Sequence, residues 1–502
     1  MTASEERRVR IAVIGAGFGG IGTAVRLRQH GHHDFVIFDR ADEVGGTWRD
    51  NTYPGCTCDV SSHMYSLSFA PNPDWSHRFS GQAEIWAYLR RVVADHGLAP
   101  HLRLGHEVRS ATWSPEGEWL IETDHGRWRA EVLVAAGGPL SEPSVPDLPG
   151  LSAFTGRVFH SARWDHGHDL TGRRVAVVGT GASAIQFVPR IAPSVERLYV
   201  FQRTAPWVLP RGDRAIGRST HTLYRRVPAA RRLARAWLYW TRELSATAFL
   251  RPPLMRIGEL AARRHLRRSV ADPALRAALT PDYTMGCKRV LLSDDYYPAL
   301  TRDNVELVRG AADTVEPDAV RTADGTRHPV DTIIFGTGFQ VTDMPLAGRI
   351  RGRDGRLLSE VWQDGMHSYL GTSVVGFPNL FLVLGPNTGQ GHNSALFMVE
   401  CHIERLLRLL RHLDRTGVRA VEPTPRAQDT FVERVDRRMA GTVWSRGGCR
   451  SWYVHRTGRN STIWPGYTWS YWLRARRIDP SAYHAVPVVR SSGSVGDPAT
   501  AR

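Results

Sequence analysis

Two glycine-rich turns, each directly behind a short apolar run and ahead of a helical pattern, lie 164 residues apart at Gly15 and Gly179. In the first, VRIAVI (9–14) leads into GAGFGG, then IGTAVRLRQHG carries helical periodicity to a glycine stop. In the second, RRVAVVGTGASAIQFVPRIA leads on to another strand, RLYVFQR. Each unit reads as strand, turn and helix, so the chain is predicted to be α/β, with two Rossmann-like dinucleotide-binding domains.

The turns differ in what they are built to hold. Gly15, Gly17 and Gly20 supply GxGxxG, and Asp39 follows at the end of FVIFD, where a carboxylate accepts from a ribose hydroxyl while the pyrophosphate rests on the helix N-terminus. Gly179, Gly181 and Ala184 supply GxGxxA. The strand behind them ends in Phe201, Gln202, Arg203 and Thr204, with no acid, and an arginine there accommodates the 2′-phosphate of NADP. Two nucleotide sites of different type in one chain imply hydride transfer between two cofactors.

Between and behind these units the chain divides into four parts. Residues 1–145 form the first part of one domain, and 146–345 the second domain, interrupted by a helical insertion at about 212–279. Strand character resumes at 305–309 and 331–335. Residues 346–485, with a long helix from about Ser394 to Thr416, return to the first domain, and 486–502, rich in Ser, Gly, Pro and Ala, read as a disordered tail.

Composition narrows the class. Hydrophobic residues at 42% and charged residues at 23% of 502 are ordinary for a globular protein. The most apolar stretch, Ala234 to Met255, is broken by Arg235, Arg242, Glu243 and Arg251, so no integral membrane segment is expected. The N-terminus has no apolar leader region, and a cytoplasmic protein is expected. Five cysteines without a CxxC pair give neither a disulfide framework nor a zinc site, so no metal is expected. The net charge of +16 comes from arginines along the whole chain, Lys288 being the sole lysine. That pattern is a compositional bias and not a nucleic-acid site, and the densest stretch, Arg225 to Arg268, reads as a solvated helical face in preference to the alternative of a membrane-surface helix.

Two further strings carry a family resemblance. Phe154, Gly156, His160 and Trp164 spell FxGxxxHxxxW, and Gly46, Trp48, Tyr53, Pro54, Gly55 and Asp59 spell GxWxxxx(F/Y)PGxxxD. Together they resemble the fingerprints of the single-chain, FAD- and NADPH-dependent Baeyer–Villiger monooxygenases. The likeness runs from Val9 to about Tyr483. It implies that Thr47, Trp48, Asp59 and Tyr65 line the FAD and that Val108 contacts its adenosine part. It also implies that Lys288 with Arg203, beside Thr204, holds the 2′-phosphate, and that Arg289 is the active-site arginine, held by Asp59. His160 is then a conformational or hydrogen-bonding residue at the domain linker, not a general base. Asp331, with Gly336, Thr337 and Gly338, resembles a third motif of the same family. Of the tryptophans at 444, 452, 464, 469 and 472, core placement is the default.

The resemblance implies that NADPH reduces FAD, the reduced flavin takes up O2, and one oxygen atom enters beside a ketone carbonyl to give an ester or lactone. An S- or N-oxygenating flavin monooxygenase is the alternative, and a flavoprotein that has kept binding but lost oxygenation is a third reading. The expected partners are a small-molecule ketone and O2, with no nucleic acid, in a monomer or weak homo-oligomer. The ketone itself has no recognisable code in the insertion and C-terminal loops.

Overall fold

The computed structural model describes residues 6–489. Alternation along β1 (Arg7–Ile14) sets the layers: Ile11 and Val13 enter one core cluster, Ala12 and Ile14 another. A strand buried on both faces needs cover on both, and the long helix Ala395–Thr416 packs with α1 (Phe18–Gln29) to provide one side.

β1 pairs in parallel with β2 (Phe35–Phe38), which continues to β3 (Leu102–Arg103). On the other side β4 (Val108–Trp113), β5 (Trp119–Thr123) and β6 (Gly126–Ala135) form an antiparallel meander whose last strand runs parallel to β1.

The second sheet is wholly parallel. It contains β7 (Arg157–His160), β8 (Arg174–Val178), β9 (Arg197–Gln202), β12 (Val305–Arg309) and β16 (Thr332–Phe335), in the order β12-β9-β8-β16-β7. A short pair, β10 (Val208–Leu209) and β11 (Leu291–Leu292), closes the base of the insertion. β13 (Ala312–Glu316), β14 (Ala319–Thr322) and β15 (Arg327–Pro329) make a small antiparallel sheet. The chain then re-enters the first sheet, with β17 (Ile350–Arg351) beside β4 and β18 (Leu380–Leu382) beside β6. The fold is α/β with two Rossmann-like sheets.

The insertion is helical: α5 (Arg218–Arg226), α6 (Pro228–Leu250), α7 (Met255–Ser269) and α8 (Pro273–Ala278) follow α1, α2 (Thr47–Asp50), α3 (Gln82–Asp95) and α4 (Ala184–Ile191). No helix among the described residues is long and apolar enough to cross a membrane.

Three expectations need correction. Cys287 and Cys449 form a disulfide, which their separation of 162 residues concealed, while Cys56, Cys58 and Cys401 are free and buried. Residues 486–489 are not a loose tail: the Val486 amide donates to the Ala420 carbonyl and that of Val489 to Pro115, both at 2.9 Å, and the rest of that segment lies outside the described residues. Of the C-terminal tryptophans only Trp444 and Trp464 are core, whereas Trp452, Trp469 and Trp472 are exposed.

Candidate active site

The first glycine turn is shaped by contacts that exclude side chains. A Cβ on Gly15, whose φ is +105°, would stand 2.6 Å from the Ala136 carbonyl oxygen, and one on Gly20 would stand 1.8 Å from that of Gly15. The tight crossing aims the N-terminus of α1 outward. Its first turn has no acidic residue and no side-chain cap, so its amides are free for a pyrophosphate. They open into a cavity of about 270 Å³ whose walls include Gly15, Gly17, Asp39, Thr47, Trp48, Tyr65 and Val108.

Asp39 is more engaged than its position in the sequence indicates. It accepts from the Ala16 amide at 2.7 Å, the Ala41 amide at 3.0 Å and Arg49 Nη1 at 3.2 Å. A carboxylate has about four acceptor sites, leaving one for a ribose hydroxyl. Trp48 donates from Nε1 to the Tyr65 hydroxyl at 3.0 Å, and the rings meet edge to face. Phe18 packs on the same Tyr65, so the indole and phenol form a rigid wall.

At the second turn Gly179 (φ +108°) crosses β16 in the same way, its Cβ position 2.7 Å from the Gly336 carbonyl oxygen, while Ala184 replaces the third glycine and is fully buried. The first turn of α4 likewise carries neither acid nor side-chain cap. Beyond β9 stand Arg203 and Lys288, neither with a carboxylate within 4 Å among the described residues. Burial and then Arg203 push the Lys288 pKa below its ordinary value. Two neighbouring cations, offset only in part by Asp282 near Lys288, match a dianionic phosphate. The Thr180 hydroxyl donates to the Thr204 carbonyl oxygen at 3.4 Å, tying the turn to the strand end.

The loop 53–59 joins the two nucleotide folds. Gln186 of α4 accepts from the Tyr53 hydroxyl at 3.0 Å and from the Thr57 amide at 3.3 Å, and donates to the Thr57 carbonyl oxygen at 3.0 Å. Gly55, at φ +80°, lets the loop lie against α4, since a Cβ there would meet the Gln186 carbonyl oxygen at 2.8 Å. Asp59, at the end of this loop, receives Arg289 through Nε at 2.8 Å and Nη2 at 2.7 Å. Burial works to raise the Asp59 pKa, but Arg289, aided by Arg242 of α6, outweighs it and holds the carboxyl below its usual value. Asp59 in turn raises the Arg289 pKa above the ordinary guanidinium range. About a third of the Arg289 side chain, 35%, stays exposed. Tyr453, beside Arg289, is 1% exposed, has no hydrogen-bond partner for its hydroxyl among the described residues, and is pushed up to about 12 by burial.

The FxGxxxHxxxW string lies where the chain enters the second sheet. Gly156 lies against the start of β16, its Cβ position 2.2 Å from the Asp331 carbonyl oxygen, and Phe154 joins the adjacent core. His160 Nδ1 accepts from the Ala162 amide at 3.1 Å, its ring meets Phe339, and burial pushes its pKa down to about 4. Trp164 packs on Phe187 of α4, which also touches Tyr53, so this string and the Asp59 loop grip the same helix. Gln186 and Tyr453 were not singled out by sequence. A glutamine inside a helix and a tyrosine in an aromatic stretch carry no local signal.

Two glycine cradles, an intervening Asp–Arg pair and an apolar wall define a two-nucleotide flavin oxidoreductase. Comparison with known proteins is more specific. The flavin-binding monooxygenase-like family model matches residues 8–234. A Baeyer–Villiger monooxygenase of Streptomyces coelicolor is 52% identical over 95% of this chain and 93% of its own length. Among solved structures, cyclohexanone monooxygenase in its closed form has a TM-score of 0.85 at 30% identity, covering 96% of this chain and 100% of that one. OTEMO, solved with FAD and NADP, also has a TM-score of 0.85, at 28% identity over 96% of this chain and 100% of its own. The chain belongs to the Baeyer–Villiger monooxygenase family of flavin-dependent enzymes.

Proposed function

We propose that this chain inserts one atom of O2 beside the carbonyl of an apolar ketone, using FAD and NADPH, and that Arg289 held by Asp59 carries that step. The observation behind the residue assignment is the two-point contact of Arg289 with Asp59, on a loop fastened to α4 through Gln186. Bound FAD, reduced by NADPH, supplies the O2-activating chemistry.

The protein's part is binding, orientation and charge. The amides of α1 and Asp39 seat the first nucleotide, with Thr47, Trp48, Tyr65 and Val108 along its walls. The amides of α4, Arg203, Thr204 and Lys288 seat the second. Arg289 stays protonated at any working pH and stabilises negative charge on the ketone oxygen as the carbonyl is attacked, while Asp59 fixes the plane of its guanidinium. Trp207, Phe249, Met285, Trp444 and Tyr453 share one buried core cluster with Cys287, two positions before Arg289, and Tyr453 lies beside the guanidinium, so the charge is backed by an apolar wall. Such a wall excludes water, which strengthens the arginine's effect, and favours an apolar ketone. The enzyme acts in the cytoplasm as a monomer or a weak homo-oligomer.

The test is NADPH oxidation followed by mass spectrometry over matched ketones and thioethers. A ketone product heavier by one oxygen atom, formed in step with NADPH loss, supports the reading. Oxygenation of thioethers alone would make it a heteroatom monooxygenase, and NADPH loss without any product would leave only a binding flavoprotein.

A further inference from the structure

Helices α6 and α7 of the insertion carry large apolar side chains that no other described residue covers. Nine of the sixteen large hydrophobic side chains exposed among the described residues lie between 223 and 260. On α6, Leu233, Trp237, Trp240 and Leu244 are 72%, 71%, 52% and 71% exposed, and on α7 Ile257 and Leu260 are 74% and 64% exposed. The α6 spacing of four, three and four residues is that of a single helical stripe, and the other exposed positions from 233 to 245 are Ala236, Thr241 and Ser245, all uncharged. The inner sides of both helices are already used: Phe249 of α6 and Met255 and Ala262 of α7 enter the same core cluster.

The same segment is strongly basic. Residues 218–270 hold thirteen arginines and two glutamates, although the whole chain has a net charge of only +16. Neither glutamate offsets the face. Glu243 is 1% exposed and bound to Thr468 and Asn393, and Glu259 accepts from the Met285 amide at 3.0 Å. Arg232, Arg251, Arg256, Arg264, Arg267 and Arg268 are exposed, and none has a carboxylate within 4 Å among the described residues.

A second copy of this chain is a poor occupant, because two such faces repel. Nucleic acid offers phosphates to the arginines but no apolar surface for Leu233, Leu244, Ile257 and Leu260. A layer with anionic groups above and hydrocarbon below satisfies both, and tryptophan is enriched at that boundary. From the exposed α6 stripe, the exposed apolar side chains of α7 and the unpaired arginines of the same segment, we propose that the insertion docks reversibly on the surface of an anionic phospholipid bilayer.

The test is co-sedimentation of the full, FAD-loaded chain with vesicles of phosphatidylglycerol and phosphatidylcholine in equal parts, against vesicles of phosphatidylcholine alone. The unmodified protein is expected to partition at least roughly tenfold more strongly to the anionic vesicles, less so at high salt. The combined Trp237→Ser, Trp240→Ser and Leu244→Ser variant is expected to lose at least roughly tenfold of that partitioning, with flavin absorbance and NADPH oxidation unchanged. The proposal is overturned if the unmodified protein sediments with neither vesicle, as for a face that serves an acidic protein. It is equally overturned if the variant sediments as well as the parent, since arginine charge alone then suffices. A dimer in solution that the same substitutions dissolve would assign the face to a second copy.

Discussion

Arg289 meets Asp59 through two nitrogens, Nε at 2.8 Å and Nη2 at 2.7 Å, across 230 positions of sequence. The carboxylate lies on a loop fastened to α4, and the guanidinium directly follows Lys288, so one short ion pair connects the 53–59 loop with the segment that carries Lys288.

That ion pair has a pH signature. Asp59 has a folded-state pKa below its unfolded value, so the stability it contributes is fully present above the unfolded pKa of about 3.9 and is lost as pH falls through the lower folded value. The Tm of the unmodified protein should therefore exceed that of Asp59→Asn at pH 7, and the gap should narrow only below about pH 4. Differential scanning calorimetry across pH checks this. A gap that closes near neutral pH would assign the effect to another group.

Cofactor choice follows from Arg203 and Lys288, neither of which is in an ion pair among the described residues. A charge-assisted hydrogen bond of this kind is worth about 1.5 to 3 kcal/mol, so NADPH should exceed NADH by at least roughly tenfold in kcat/KM. Arg203→Ala should narrow that gap mainly through the KM for NADPH. Steady-state kinetics with both nucleotides decide it, and equal use by the unmodified protein would refute the assignment.

The sequence made the nucleotide cradles legible because each motif is local: strand, turn and helix follow within about thirty residues, although the carbonyls that exclude side chains at Gly15 and Gly179 belong to the distant Ala136 and Gly336. Asp59 and Arg289 were legible only through the resemblance, since nothing near either residue indicates its partner. Gln186 shows the limit, being an ordinary helical polar residue until the 53–59 loop folds onto it. The Cys287–Cys449 bond is hidden for the same reason, as pairing over 162 residues is a property of the tertiary fold.

Gln186→Leu removes three hydrogen bonds to Tyr53 and Thr57, each worth about 0.5 to 1.5 kcal/mol. FAD should remain bound, since its cradle is untouched, while the Asp59 loop loses its fixed position. The ratio of oxygenated product to NADPH consumed should fall by about tenfold. Parallel product and NADPH assays read that ratio, and unchanged coupling would show that the loop is held without Gln186.

Thiol labelling of the denatured, unreduced protein should modify Cys56, Cys58 and Cys401 but not Cys287 or Cys449. Replacing both bonded cysteines by serine should cost about 2 to 4 kcal/mol, seen as a Tm lower by several degrees. Mass spectrometry and calorimetry test the two parts, and five labelled thiols would contradict the bond.

The most direct measurement compares flavin reduction with ester formation in Arg289→Ala. FAD seating is assigned to α1, Asp39 and the Trp48–Tyr65 wall, so the variant should fold, purify yellow and still be bleached by NADPH. Ester formation from a ketone the unmodified protein accepts should fall by roughly 100-fold or more, the scale of losing a preorganised charge at a developing oxyanion. Ester formation at close to the unmodified rate, with the flavin still reduced, would show that oxygen insertion does not depend on Arg289.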